Sequence, residues 1–341
     1  MPLFELSPFQ FLVSQWTPLP YPATDCTDKV IIVTGGNVGL GLEAARHFTR
    51  LNAAKVILAC RNTEKGHAEK ADIESTTPHR QGAVEVWPLD LASFGSVRDF
   101  GRRADRQLGR LDVLLANASV LHTRFAEREG YEETLTVNVL STFLLALLLL
   151  PALRRTAARF NTAPHLTVVS SDAHAVANFR CRDAPAVLEA LCGDADMLSR
   201  YGDTKLLQLL LTRALAQALD GRGESESESG VTAKKQPRVI VNTLNPGLCR
   251  SELFRHAPWP ATWVLYISMR LFARTAEMGS RNLVAAATAP EDTHGKYLSD
   301  CKVWEPSRFG RSPDGANVQR RVFAELLEVL EKIEPGVTAN I

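Results

Sequence analysis

Tyr201 and Lys205 stand four residues apart in Tyr201-Gly202-Asp203-Thr204-Lys205, a spacing that stacks them one turn above the other on one face of a helix. Hydride addition to a carbonyl makes an alkoxide that needs a proton, and the reverse reaction needs that proton removed. A phenol serves both directions if its pKa, ~10 when free, is drawn toward the working pH, and a nearby lysine charge favours the phenolate. Upstream, Val168-Val169-Ser170-Ser171-Asp172 ends an apolar run. A hydroxyl there could hold a substrate oxygen, and because strand neighbours point to opposite faces only one of Ser170 and Ser171 should reach it. Asn138, in Thr136-Val137-Asn138-Val139, is a polar group in an apolar stretch. It is either a satisfied buried amide or a group that orders a water beside Lys205 and continues a proton path. Asp203 is expected to face solvent.

A second set of residues could bind a dinucleotide. The run Thr34-Gly35-Gly36-Asn37-Val38-Gly39-Leu40-Gly41 follows a short β-pattern and opens a helix. Gly35 permits a tight turn, Gly39 lets backbone approach a pyrophosphate, and Gly41 lets the helix pack closely on the strand. With Asn37, Val38 and Leu40 between them, these residues lead to a helix N-terminus whose free N–H groups suit an anion. The second strand ends in Ala59-Cys60-Arg61-Asn62, with no acid before Glu64. Arg61 can therefore meet the 2′-phosphate of NADP(H), where a carboxylate would favour NAD. A merely solvated arginine would leave both cofactors acceptable. Asp90-Leu91 follows the third strand, where the carboxylate could accept an adenine amino group or cap a helix. Asn117-Ala118 closes the fourth with small residues that let a nucleotide lie against backbone. The positive charge of an oxidised nicotinamide would join Lys205 in favouring the Tyr201 phenolate.

The elements that must position these residues show in the hydrophobic pattern. Apolar runs at 30–34, 56–60, 84–88, 112–116, 166–170 and 239–244, with a seventh at 296–299, alternate with helical periodicity at 40–50, 63–74, 93–108, 131–155, 203–219 and 276–289. That alternation predicts an α/β fold with a doubly wound, mostly parallel sheet covered by helices on both faces. One domain over 28–341 follows an N-terminal extension, 1–27. Within the domain, 221–237 (with the acidic GRGESESESG) reads as a flexible loop and the aromatic 250–275 as a small C-terminal substrate lobe.

Composition narrows the function. The 341 residues carry 39 basic and 38 acidic side chains, a net charge of +1, which gives no footprint for a nucleic acid partner. Six scattered cysteines without a CxxC predict free thiols and no metal site. The longest apolar run, 143–150 (FLLALLLL), stops at Pro151 and reads as a helix buried against protein, so no transmembrane segment is expected. The extension, with LFELSPFQFLVSQW, lacks a basic start and contains Pro8, which argues against a signal peptide. It could cover the pocket, touch a membrane surface or pack inertly on the domain. A cytoplasmic setting is expected, with peripheral membrane association through 1–27 as the alternative. The leucine-rich helices at 131–155 and 203–219 suit either a homodimer contact or burial within one chain.

Taken together, Thr34-Gly35, Gly39, Gly41, Asp90, Asn117-Ala118, Asn138, Ser171, Tyr201, Lys205 and Pro246-Gly247 resemble the short-chain dehydrogenase/reductase family. TGGNVGLG, ILACRN, LANAS, VVSSDAH and GKYLSDC are similar to its retinol-dehydrogenase and WW-domain-oxidoreductase-like branch. The resemblance covers about residues 28–300. It implies a Rossmann fold and the oxidoreduction of a carbonyl or alcohol on an apolar or aromatic small molecule. It further implies that Tyr201 is the acid/base and that Lys205 lowers its pKa and bonds the nicotinamide ribose. Ser171, rather than Ser170, would polarise the substrate oxygen, and Asn138 would complete the relay. Pro246-Gly247 would contact the nicotinamide carboxamide, with Ser251 assisting. Ser119 departs from the usual glycine and Ala116 from a common asparagine. The 29 residues between Ser171 and Tyr201 exceed those of the shortest members and should wall the substrate pocket. An epimerase, dehydratase or cyclase on the same scaffold, or a nucleotide-binding regulator, are the other functional classes open at this level.

Overall fold

The computed structural model describes residues 8–193, 197–225, 238–250 and 272–341. In chain order these form α1 (Pro8–Trp16), β1 (Val30–Thr34), α2 (Gly39–Arg50), β2 (Lys55–Cys60), α3 (Thr63–Thr76), β3 (Val84–Pro88), α4 (Phe94–Gln107) and β4 (Val113–Ala116). A hairpin of β5 (Glu127–Arg128) and β6 (Tyr131–Glu132) leads through the short α5 (Glu133–Leu135) and a π-helical segment, Thr136–Ser141, into α6 (Thr142–Phe160). Then come β7 (His165–Val169), α7 (Val187–Ala190), α8 (Met197–Ser225), β8 (Ile240–Asn245), α9 (Ala276–Ala287), β9 (Tyr297–Ser299), β10 (Lys302–Trp304), α10 (Arg308–Arg311) and α11 (Pro313–Ile333).

Eight strands lie in the order β10-β9-β8-β7-β4-β1-β2-β3. Every neighbour pairs in parallel except the β9–β10 edge. The chain reverses its winding between β1 and β4, and a doubly wound sheet opens its crevice at that point, beyond the strand C-termini. Both faces of the sheet are covered, so the central strands are continuously apolar: Ile31, Ile32, Val33, Ile57 and Leu58 are all fully buried. One core packs Phe48, Ala44 and Leu283 of α2 and α9 on the sheet, and the other packs Phe143, Leu207 and Leu326 of α6, α8 and α11.

The predicted 131–155 helix differs at both ends. It begins as the hairpin and the π segment, and it runs through Pro151 to Phe160. Proline lacks the N–H that would bond the carbonyl of Leu147. The Asn340 amide fills that place, donating to Leu147 O at 3.1 Å. Glu133–Phe160 is long and apolar enough to cross a membrane by length and composition, but 89% of its apolar window is buried inside the protein. The leucines that could have marked a dimer face, Leu206, Leu207, Leu209, Leu210 and Leu211, are all buried within the single chain.

The loop expected at 221–237 starts later, because α8 continues through Ser225, and 226–237 lie outside the described residues. Of the 250–275 lobe, 251–271 also lie outside them, Ser251 included. Three elements absent from the predicted set complete the C-terminal part: β10 and the four-residue α10, both too short for a periodic signal, and α11, whose Val318, Val322, Leu326 and Leu330 are buried. All six cysteines are free.

Candidate active site

A cleft of about 860 Å³ opens over the ends of β1, β2, β3, β4, β7 and β8. Its floor at the β1 end is backbone. Gly35 and Gly39 take φ +65 and +57, and a Cβ at Gly41 would stand 2.4 Å from the carbonyl oxygen of Gly35 and 2.6 Å from the Asn117 amide. Any side chain at 41 would thus close the turn, which leaves Asn37, Val38, Gly39 and Leu40 lining the cleft at the start of α2. Thr34 holds this turn to β4: its hydroxyl accepts from the N–H groups of Asn117 and Ala118, each at 2.9 Å, and its carbonyl accepts from Asn117 Nδ2 at 2.9 Å. A cradle of left-handed glycines ahead of a 12-residue helix fits a pyrophosphate.

Arg61 lies on the cleft wall where β2 ends, and Lys65, one turn into α3, lines it as well. The sequence reading missed Lys65, since Arg61 precedes the Asn62 cap of α3 and no helical spacing links the two. Asn62 is occupied as the cap of α3, accepting from Lys65 N at 2.9 Å. Asp90 and Leu91 also line the cleft. The Asp90 carboxylate accepts from Ala92 N at 2.9 Å in a local turn, and the N-cap of α4 is Ser93.

The opposite end of the cleft is made of side chains. Tyr201 and Lys205 project from α8 on the predicted shared face, with Lys205 Nζ 5.4 Å from the centre of the Tyr201 ring. Ser171 lines the cleft and its hydroxyl bonds the Tyr201 phenol. Ser170 is buried and spends its proton on the main-chain oxygen of Lys205 at 2.8 Å, tying β7 to α8. Burial pushes the Tyr201 phenol up, with the Ser171 hydrogen bond opposing it. Burial also pulls the Lys205 ammonium down to about 7.

Asn138 stands otherwise than a water-ordering side chain would. Its amide is satisfied by the backbone of Val120, accepting from N and donating to O at 2.9 Å each, and it donates to Thr204 Oγ1 at 3.1 Å. Its main-chain oxygen, in the π-helical segment, takes a hydrogen bond from Gln208 Nε2 at 2.7 Å. Asp203 does not face solvent. It is buried, and its Oδ1 accepts from the N–H of Phe179 at 2.8 Å, where the loop turns left-handed at φ 36.

Pro246 and Gly247 complete the cleft at the end of β8, with Gly247 at φ +81. Asn245 joins this turn to the Ser171 loop. Its Oδ1 accepts from Gly247 N at 3.0 Å and from Asp172 N at 3.1 Å. Of that loop, Ser171, Asp172 and Ala173 line the cleft among the described residues. Val187, Leu188 and Leu191 instead bury themselves in the core shared with α11. Glu325 of α11 caps α7, accepting from Val187 N, Leu188 N and Glu189 N at 2.8, 2.9 and 3.3 Å. Among the described residues of this segment, the first part walls the cleft and the stretch from Val187 to Leu191 docks on the C-terminal helix.

A family model described as short chain dehydrogenase matches residues 29–172. The chain is similar to the short chain dehydrogenase/reductase dmxR8 of Cryptosporiopsis sp. (strain 8999), 42% identical over 337 residues that cover 97% of this chain and 99% of that protein. It is also similar to the short chain dehydrogenase atnD of Emericella nidulans, 45% identical over 296 residues, 85% of this chain and 90% of that one. Among solved structures, the Pseudomonas aeruginosa RhlG/NADP active-site complex superposes with a TM-score of 0.58 at 23% identity, covering 82% of this chain and 97% of that one. The 3-ketoacyl-(acyl-carrier-protein) reductase of Brucella melitensis complexed with NADH does so with 0.59 at 18%, covering 80% and 97%. These two are likenesses of fold.

Proposed function

Since the chain belongs to the short-chain dehydrogenase/reductase family, we propose that it moves hydride between NADP(H) and the carbonyl or alcohol of an apolar or aromatic small molecule. The observation that carries this reading is the meeting of Ser171, Tyr201 and Lys205 in the same cleft as the glycine turn. Arg61 and Lys65 on its wall supply the positive charge that a 2′-phosphate requires, and they support NADP(H) over NAD(H). Val120, Leu121, Val137 and Leu248 give the cleft an apolar lining that suits a greasy substrate. The retinol-dehydrogenase-like branch is the finer reading, supported by the long segment between Ser171 and Tyr201.

When bound, the nicotinamide supplies or receives the hydride. Tyr201 gives its proton to the substrate oxygen in the reductive direction, and Ser171 holds that oxygen by a hydrogen bond as its negative charge develops. Burial raises the Tyr201 phenol, so it stands protonated and can serve as the acid in the reductive step. Lys205 carries the charge that stabilises the phenolate left behind.

The test is incubation with NADPH or NADH and a fractionated extract, following product mass and cofactor oxidation together. A product two hydrogens heavier, formed with NADPH consumed faster than NADH, is expected. A changed product at constant cofactor would move the assignment to an isomerase, dehydratase or cyclase.

A further inference from the structure

Lys205 is fully buried, and each of its three ammonium protons has a partner. The Nζ atom donates to Ser119 Oγ at 2.7 Å, to the main-chain oxygen of Val169 at 2.8 Å and to Gln208 Oε1 at 2.8 Å. Gln208 then donates from Nε2 to the main-chain oxygen of Asn138 at 2.7 Å, so one amide spans the gap between the lysine and the π-helical segment. Gln208 is itself fully buried. The titratable group facing the ammonium is Tyr201, from the same helix; hydroxyl, carbonyl and amide groups meet it from the other sides. Burial alone accounts for its lowered pKa.

The three partners differ in what they can do with a proton. A carbonyl oxygen only accepts, and an amide could pass a proton on only through its high-energy imidic-acid form. A hydroxyl both accepts and donates. Ser119 is the hydroxyl, and it is half-buried on the cleft wall.

We propose that Gln208 is a positioning residue that locks the inner side of Lys205 to the Asn138 backbone, and that Ser119 is the group through which Lys205 exchanges protons with water in the cleft. The proposal rests on the roles given above to Tyr201 and Lys205. In the reductive direction Tyr201 loses a proton to the substrate oxygen, and the Lys205 ammonium, whose Nζ stands 5.4 Å from the ring centre, gives up one that a cleft water between them carries to the phenolate. The neutral amine then takes the Ser119 proton as that hydroxyl takes one from water. One proton enters from solvent for each delivered, and no redox change occurs along this path.

The experiment reads the lysine directly. In full-length protein with ¹⁵N-labelled lysine, at a pH below about 7 where Lys205 is protonated, NMR follows exchange of its Nζ protons with water, assigned by their loss in Lys205→Met. Ser119→Ala is expected to slow this exchange by ~10-fold, about the worth of one hydrogen bond, and Ser119→Thr to restore it. Gln208→Leu should leave exchange near the wild-type rate while moving the Lys205 titration to lower pH, and Gln208→Glu should move it to higher pH. Unchanged exchange in Ser119→Ala, or equal slowing in Gln208→Leu, would overturn the assignment. These signals need neither substrate nor NADPH, so failure of the oxidoreductase reading would show in the turnover assay and failure of this one in the exchange rate.

Discussion

The two ends of the cleft are built by different means. At the β1 end, shape is made by what is missing: no Cβ at Gly35, Gly39 or Gly41, and backbone groups held by Thr34. At the α8 end, the site is made by what is present: the buried Lys205 and Gln208 and the half-buried Ser119, Ser171 and Tyr201, with Lys205 bonded to Ser119 and Gln208, and Ser171 to Tyr201. The first kind of site binds and the second reacts. Losing a reactive side chain should harm only the α8 end, and adding a side chain to the glycine turn only the binding end.

The sharpest way to break that division is at Tyr201. Tyr201→Phe removes the acid and leaves the glycine turn untouched, so turnover should fall by at least ~10²-fold, the scale of lost general acid catalysis. NADPH titration by fluorescence should give an unchanged Kd. A parallel loss of nucleotide affinity would mean that the two ends are one unit. Gly41→Ala is the converse change. Its Cβ would stand 2.4 Å from Gly35 O, inside contact distance of backbone that cannot swing away. Overpacking of this kind costs ~1–3 kcal/mol, seen as a lower melting temperature and weaker NADPH binding. If Gly41→Ala binds NADPH normally, the turn is not the cradle.

How much was legible follows the same division. The β1 end is one contiguous run, Thr34 to Gly41, lying between a strand and a helix, and its function can be read in place because each glycine acts on its immediate neighbours. Tyr201 and Lys205 are legible for the same reason, being one helical turn apart. Ser119 and Gln208 are not, because their roles exist only where the end of β4, the π-helical segment and α8 meet. Gln208 lies at i+3 from Lys205, so extending the same helical face would have brought it into view. Asp203 was misjudged because its partner is the N–H of Phe179, 24 residues away, in a turn whose left-handed residue has no glycine to announce it. The parallel strands were readable from their unbroken apolar runs. β10 was not, since three exposed residues at a sheet edge carry no pattern.

Arg61 sharpens the comparison within the binding end itself, since its contribution is charge rather than shape. Arg61→Ser should shift preference from NADPH toward NADH by about tenfold, or ~1.4 kcal/mol, as expected for one charge-assisted contact at an exposed site. The remaining preference should fall again in Arg61→Ser combined with Lys65→Ser, because both cations line the wall. Steady-state kinetics with each cofactor measures this, and an unchanged ratio in the double variant would place the 2′-phosphate elsewhere.

The smallest effect is expected away from both ends, at Glu325. Its carboxylate receives three N–H groups at the start of α7, so the segment after Ser171 is anchored to α11 rather than to the cleft. Glu325→Gln keeps one acceptor oxygen in place of two, and should lower stability by about 1 kcal/mol, the usual worth of a helix cap. Denaturant unfolding would record this as a shifted midpoint. Because Asp172, next to Ser171, is held from the other side by Asn245, kcat and the nucleotide Kd should not move. A fall in kcat without a change in midpoint would show instead that the inserted segment governs the reactive end, and the two ends would then have to be joined through α11.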